Sequence, residues 1–124
     1  MKRRSRDEER EQRITMEIVV DACTPEEQAM GWYYSLEDRL HFPFVARCIT
    51  RRSISPLRVG DEVEVVEMAP EEECQHELFV LIRWEHRGLA VPLAQLEGVA
   101  VDDQTRRVIE DWHYWVAGGG VRDV

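Results

Sequence analysis

The sequence predicts an α+β domain in which five short antiparallel strands form a small barrel or sheet that packs against two helices. The first observation is a period of two. Between Gly60 and Glu97, apolar and polar side chains alternate in separate runs, as in half-buried strands. The second is a period near 3.6 in two flanking segments, residues 24–40 and 104–117, whose apolar residues recur at spacings of three and four. The 124 residues suffice for one such domain.

The N-terminal part has no pattern of a packed element. Residues 1–15 are predicted to be a charged tail, disordered or a frayed helix, because basic and acidic residues mix there without apolar periodicity. Residues 16–124 are predicted to form the single domain. Residues 17–21 fit a short strand at its start.

The first helix has a specific start signal. Thr24 at the N-cap, Pro25 at the first helical position and Glu27 three residues after the cap form a capping box. The apolar stripe that follows keeps helical spacing and consists of Ala29, Trp32, Tyr33, Leu36 and Leu40. Such a stripe is more typical of core packing than of a ligand site.

Five strands follow from alternation and turn residues. They are predicted at residues 42–50, 61–68, 78–84, 89–92 and 99–101. Residues 85–88 form a polar turn that ends in glycine and favours a tight hairpin. Pro92 ends the fourth strand, because proline cannot donate to a strand ladder. Five strands of these lengths suit a small, strongly bent barrel or sheet of SH3-like type.

The second helix is predicted at residues 104–117. Asp102 and Asp103 supply its N-terminal cap. Its apolar stripe consists of Val108, Ile109, Trp112, Trp115 and Val116. The glycines at positions 118–120 end the helix.

Charge and composition exclude several classes of protein. The formal net charge is −9, and because residues 1–13 carry +2, the rest of the chain carries −11. A body this acidic repels phosphate backbones, so no nucleic-acid partner is expected. No apolar run approaches the roughly 20 residues that span a bilayer, and no secretory signal is visible, so no membrane partner is expected. Three widely spaced cysteines favour a reducing, cytoplasmic location.

Recognisable enzyme motifs are missing from the sequence. The four histidines share no metal-ligand spacing, and there is no phosphate loop or nucleophile elbow, so no enzyme is expected. Clustered carboxylates remain, at Glu37/Asp38, Glu71–Glu73, Asp102/Asp103 and Glu110/Asp111. Crowded oxygen donors suit calcium, which takes about six to eight oxygens, better than magnesium. Because no EF-hand loop is present, the ligands must come from separate parts of the chain.

Glu37 and Asp38 break a rule of helix electrostatics. They lie in the last turn of the first predicted helix, where the negative end of the helix dipole disfavours carboxylates. Two interpretations stay open. Either this is a solvated helix end that Arg39 partly compensates, or a bound cation offsets the two negative charges.

Several longer stretches resemble one known family. They are Thr24-Pro-Glu-Glu-Gln-Ala-Met-Gly-Trp-Tyr-Tyr, Phe42-Pro-Phe, Ser53-Ile-Ser-Pro-Leu, Glu62-Val-Glu-Val-Val, Met68-Ala-Pro-Glu-Glu-Glu-Cys, Ala90-Val-Pro-Leu-Ala-Gln-Leu-Glu-Gly and Glu110-Asp-Trp-His-Tyr-Trp-Val. Over roughly residues 17–117 the chain resembles the small calcium-binding proteins of the CcbP type, described from cyanobacteria. The tail lies outside the resemblance.

The resemblance implies a cytosolic protein that binds Ca²⁺ without EF-hands and acts as a calcium buffer or sequestering protein. It also implies more than one site, of unequal strength. The candidate metal ligands are Asp38 first, with Glu37 beside it, and then Glu71, Glu72, Glu73, Asp102 and Asp103. Which of these carboxylates share one ion stays open.

A second hypothesis needs no metal. A small SH3-like barrel with an acidic surface also suits an interaction module that docks a basic protein partner. Capture of a partner that persists in the presence of a chelator favours this second hypothesis over calcium binding.

Overall fold

The computed structural model describes residues 7–118. Residues 1–6 of the predicted tail and the last two glycines of the predicted helix stop lie outside the described residues. The described part contains three α-helices: α1 (Glu8–Arg13), α2 (Pro25–Arg39) and α3 (Asp103–Ala117). It also contains five strands: β1 (Phe44–Cys48), β2 (Glu62–Met68), β3 (Phe79–Trp84), β4 (Arg87–Pro92) and β5 (Leu96–Val99). The α+β class, both predicted helices and the five-stranded antiparallel arrangement are confirmed.

The five strands form one antiparallel sheet in the order β4-β3-β2-β1-β5. Its edges are β4 and β5, which do not pair with each other in the described part of the chain, so the sheet is open. Of the two predicted alternatives, barrel or sheet, the described residues form the sheet, and the barrel is wrong. All four residues of β5 pair with β1, and its other edge has no strand partner within residues 7–118.

A very short connection makes the open sheet curve. A three-residue 3₁₀ turn, Leu93–Gln95, links β4 to β5 although they lie at opposite edges. The four Cα steps from Pro92 to Leu96 span at most about 14 Å. The edges of a flat five-stranded sheet lie about 19 Å apart. The sheet must therefore bend until its two edges approach each other.

The core lies between one face of this sheet and the helices. Burial alternates along β1, where Phe44, Ala46 and Cys48 are buried while Val45 is exposed. Trp32 of α2 is fully buried and meets Trp112 of α3 edge-on, with ring centroids 5.1 Å apart. This ring contact holds α2 against α3 and so fixes where the helix ends lie.

The N-terminal segment differs from expectation. The predicted strand at residues 17–21 is wrong, because a π-helical segment occupies Ile14–Ile18. The reason is that Ile14 and Ile18, four residues apart, are both buried on one helical face. Within the predicted tail, Glu8–Arg13 form α1, which leads directly into this segment.

The last strand starts earlier than predicted. It spans Leu96–Val99 instead of residues 99–101, because Leu96 is fully buried and pairs with Cys48 of β1. The capping box of α2 is confirmed: the side chain of Thr24 accepts from the backbone of Glu27, and Glu27 accepts from the backbone of Thr24. No helix within residues 7–118 is long and apolar enough to cross a membrane.

Candidate metal site

The end of α2 and the start of α3 lie side by side because hydrogen bonds join them. Gln104 donates from Nε2 to the carbonyl oxygen of Arg39 at 3.3 Å. The backbone N–H of His41 donates to the hydroxyl of Thr105 at 3.1 Å. These contacts bring together two acidic segments that are far apart in the sequence.

A surface pocket of about 420 Å³ opens at this junction. Its charged lining residues are four acids, Glu17, Asp38, Asp103 and Asp111, and three arginines, Arg13, Arg39 and Arg107. Of the carboxylates that the sequence indicated as metal ligands, Asp38 and Asp103 line this pocket. The pocket carries a formal charge of −1, so it attracts cations only weakly unless the arginines move.

Asp38 is the pocket acid whose charge is least compensated. It is exposed and lies in the last turn of α2, at the negative end of the helix dipole. Within residues 7–118 its carboxylate has no hydrogen-bond or ion-pair partner. A cation bound here relieves the repulsion between this carboxylate and the helix end.

Asp103 faces the pocket from the first position of α3. Its side chain is 83% exposed and contacts Arg106 Nη2 at 2.8 Å, one turn later in the helix. Ion pairs between exposed side chains contribute only about 0–1 kcal/mol. The Asp103 carboxylate can therefore release Arg106 and bind another cation at little cost in free energy.

Asp102 is the N-cap of α3, and both its carboxylate oxygens are engaged. Oδ1 accepts from the backbone N–H of Thr105 at 2.7 Å, and Oδ2 contacts His41 Nδ1. The hydrogen bonds from Thr105, together with that from His41, lower the pKa of Asp102 below its ordinary value. These contacts assign the side chain to holding the helix end.

We expect Asp102→Ala to lower the free energy of unfolding by about 1 kcal/mol, the usual cost of removing an N-cap side chain. The matched control is Asp103→Ala at the next position, which removes the same charge but no cap, and less than half that loss is expected. Urea denaturation of both variants in chelator measures the difference. Equal losses in the two variants contradict the cap assignment.

Glu37 and Glu71–Glu73 lie outside the pocket lining. The hydroxyl of Tyr34 donates to Glu71 Oε2 at 2.7 Å, and this hydrogen bond raises the pKa of Tyr34. Burial, together with the nearby Glu37 carboxylate, raises the pKa of Tyr33 to about 12. Glu72 and Glu73 are exposed. The predicted ligands thus divide between the pocket, the cap of α3 and a surface around exposed Tyr34, here called the Tyr34 surface, which carries Glu37 and Glu71–Glu73.

Two acids of the pocket were missed as candidate ligands. Glu17 lies in the π-helical segment, where the sequence predicted a strand, and its carboxylate lies 3.2 Å from Arg39 Nη2. The sequence did indicate that Asp111 is unusual, because a carboxylate in the second half of a predicted helix is unfavourable. Sequence reasoning placed Asp111 in an acidic cluster with Glu110 and did not recognise that it is buried.

Asp111 is a buried acid with two arginine partners from the N-terminal segment. Its side chain is 1% exposed. Arg13 forms a two-pronged contact, with Nη2 donating to Oδ1 at 2.7 Å and Nε donating to Oδ2 at 3.1 Å. Arg10 Nε lies 2.9 Å from Oδ1 but is not aligned for a hydrogen bond. The hydrogen bond to Asp111 raises the pKa of Arg13.

Within residues 7–118, no three His, Cys, Asp or Glu side chains converge closely enough to enclose a metal ion. Arginine side chains contact three of the four pocket acids: Arg13 and Arg39 from the lining, and Arg106 from outside it. Carboxylates with the amide of Gln104 are nevertheless the donor chemistry that calcium prefers, in flexible geometry. Binding an ion here requires the acids to exchange arginine partners for the metal.

Comparisons with known proteins agree with this donor chemistry. A family model described as calcium binding, that of the CcbP proteins, matches residues 12–116. The crystal structure of Anabaena CcbP is similar at 41% identity, with a TM-score of 0.80, and covers 94% of this chain and 96% of that chain. A structure of a calcium-binding protein in its calcium-binding form is 41% identical, with a TM-score of 0.81, and covers 92% of this chain and 94% of that chain. No curated protein gives a significant match.

Proposed function

Because the chain belongs to the CcbP family of calcium-binding proteins, and calcium is therefore its ligand, we propose that it acts as a cytoplasmic Ca²⁺ buffer. The observation that carries the proposal is the pocket where the end of α2 meets the start of α3. There the uncompensated carboxylate of Asp38 shares a lining with Asp103. The family identifies the ion, and the carboxylates of the pocket support this position as its proposed site.

Asp38 and Asp103 are the first ligands of the principal site in this proposal. They approach the pocket from two helices, and a dication between them neutralises both carboxylates. Asp38 gains most, because its charge lies at the negative end of α2. Gln104, from the same turn as Asp103, adds a neutral oxygen donor to the lining. Backbone carbonyls and water complete such sites in calcium proteins.

A second, weaker position is proposed on the Tyr34 surface. Glu37 and Glu71 lie near Tyr33 and Tyr34, and the exposed carboxylates of Glu72 and Glu73 follow Glu71 directly. These carboxylates lie outside the pocket lining, so an ion bound there stays more exposed to water, which weakens its attraction to the carboxylates. The affinity at this position is therefore lower than in the pocket.

The close approach of the sheet edges also supports an SH3-like description of the sheet.

Calorimetric titration with Ca²⁺, in a chelator-treated sample, tests the proposed function. We expect saturable heat with Ca²⁺ and much weaker heat with Mg²⁺, because magnesium demands near-octahedral geometry and gives up its waters reluctantly. A titration with no saturable heat contradicts calcium binding. Rapid exchange with a fluorescent calcium indicator in the micromolar range tests the buffer role separately.

Calcium is also expected to stabilise the fold. An ion that binds only the folded chain adds about 2.7 kcal/mol at a free concentration of 100 times its Kd. For a domain of this size that corresponds to a rise in Tm of roughly 10 °C. Thermal unfolding in Ca²⁺, in Mg²⁺ and in chelator measures it. An unchanged Tm in saturating Ca²⁺ contradicts selective binding to the folded state.

A further inference from the structure

The N-terminal segment, residues 8–18, spans the pocket through two ion pairs. It supplies the cation of one pair and the anion of the other. Arg13 binds Asp111 of α3, with Nη2 at 2.7 Å from Oδ1. Glu17 binds Arg39 of α2, with Oε1 at 3.2 Å from Nη2. All four residues line the pocket that also contains Asp38 and Asp103. The segment therefore contributes one charge of each sign to the proposed calcium site.

Asp111 needs a cation for physical reasons. A carboxylate that is 1% exposed has lost its hydration, and such a group is stable only when it is paired and hydrogen-bonded. In the described part of the chain the paired cations are Arg10 and Arg13, and both belong to the N-terminal segment. The charge of Asp111 thus couples this segment to the pocket.

We propose that Arg13 is a built-in counter-cation that competes with calcium for the pocket, so that the N-terminal segment sets the calcium affinity. This inference rests on the proposed function. A guanidinium on Asp111 repels a dication held by Asp38 and Asp103 in the same pocket. Calcium therefore binds more tightly when Arg13 has left, and the carboxylate that Arg13 releases becomes a further oxygen donor for the ion.

Arg13 differs from the other pocket arginines in its place on the chain. Arg39 and Arg107 belong to α2 and α3, the helices that form the pocket wall, and they remain near the ion. Arg13 belongs to a segment that precedes both helices, and its side chain can leave Asp111 while Ile14 and Ile18 keep the segment packed on the core. Coupling between two binding equilibria is reciprocal. If the contact of this segment with Asp111 lowers the affinity for calcium by some factor, bound calcium must weaken that contact by the same factor.

Calorimetry of Arg13→Gln with Ca²⁺ tests the affinity part. We expect Kd to fall by about tenfold, within the usual range of coupling between sites. Arg13→Lys, which keeps the charge, is expected to bind calcium much as the wild-type chain does. The matched control is Arg83→Gln, which removes an arginine paired with Glu64 at 2.8 Å on the sheet and should leave Kd unchanged. An unchanged or weaker affinity in Arg13→Gln overturns the proposal.

Hydrogen exchange of the unaltered protein tests the reciprocal part and does not depend on whether a variant folds. We expect the amides of residues 8–18 to lose protection in saturating Ca²⁺, while those of α3 gain it. Equal or greater protection of residues 8–18 in calcium overturns the competition. If the wild-type chain gives no calcium heat at all, the proposed function fails. If it binds calcium and the segment does not respond, the competition fails and the function stands.

Discussion

Asp38→Asn is expected to reduce calcium affinity by about tenfold to a hundredfold, because affinity in oxygen-ligand sites depends strongly on the number of charged ligands. The substitution keeps the size of the side chain and removes one negative charge. It also removes the repulsion between that charge and the end of α2, so the apo protein should become slightly more stable. Opposite effects on stability and affinity distinguish a ligand from a structural residue. Calorimetry and urea denaturation of the same variant measure both quantities.

The matched control for this prediction is Glu72→Gln. Glu72 also carries an exposed carboxylate, but it lies outside the pocket lining, on the turn after β2. Its replacement should leave the high-affinity calcium heat intact. Asp103→Asn, from the opposite side of the pocket, should resemble Asp38→Asn in affinity. If Glu72→Gln abolishes the binding and Asp38→Asn does not, the principal site lies on the Tyr34 surface and the assignment to the pocket is wrong.

The helices could be predicted because their signals are local. The capping box at Thr24 and Glu27 is contained in four residues, and the apolar stripes of α2 and α3 follow a fixed spacing. The strand predicted at residues 17–21 was wrong because the deciding contact is not local. Ile18, Val19 and Val20 favour a strand by composition, but burial of Ile14 together with Ile18 requires a helical spacing. Tertiary packing overrode the local preference.

Closure of the sheet could not be predicted from strand patterns. A period of two identifies strands but does not specify which strand lies at an edge. The order of the strands depends on the pairing of β5 with β1, which joins residues about fifty positions apart, such as Cys48 and Leu96. The short turn between β4 and β5 is visible in the sequence. Its meaning appears only when the two strands are known to lie at opposite edges.

The candidate site was predictable in its negative charges and not in its positive ones. Asp38 drew attention because a carboxylate at that helix end violates a simple electrostatic rule. Asp111 violates the same rule, but its compensation comes from Arg10 and Arg13, about a hundred residues earlier in the sequence. Such long-range pairs leave no local pattern. The arginines of a metal-binding pocket are therefore the part of the site that requires a structure.

Trp32→Ala is expected to have the largest effect on stability, lowering the free energy of unfolding by about 3–5 kcal/mol. Trp32 is fully buried, and its ring centroid lies 5.1 Å from that of Trp112 and 5.9 Å from that of Trp115. Removing the ring leaves a cavity where α2 meets α3 and also loses the aromatic contacts, worth about 0.5–1.5 kcal/mol per pair. Guanidinium denaturation measures the loss as a lower midpoint.

Trp84→Ala is the matched control, because Trp84 is only partly buried, at the end of β3. It should cost clearly less than Trp32→Ala. The slope of the transition with denaturant should stay the same in both variants if each simply lowers stability. Because Trp32 also sets the relative position of Asp38 and Asp103, its variant should bind calcium more weakly even where it remains folded. A loss below 1 kcal/mol with unchanged calcium affinity contradicts the view that packing between α2 and α3 builds the site.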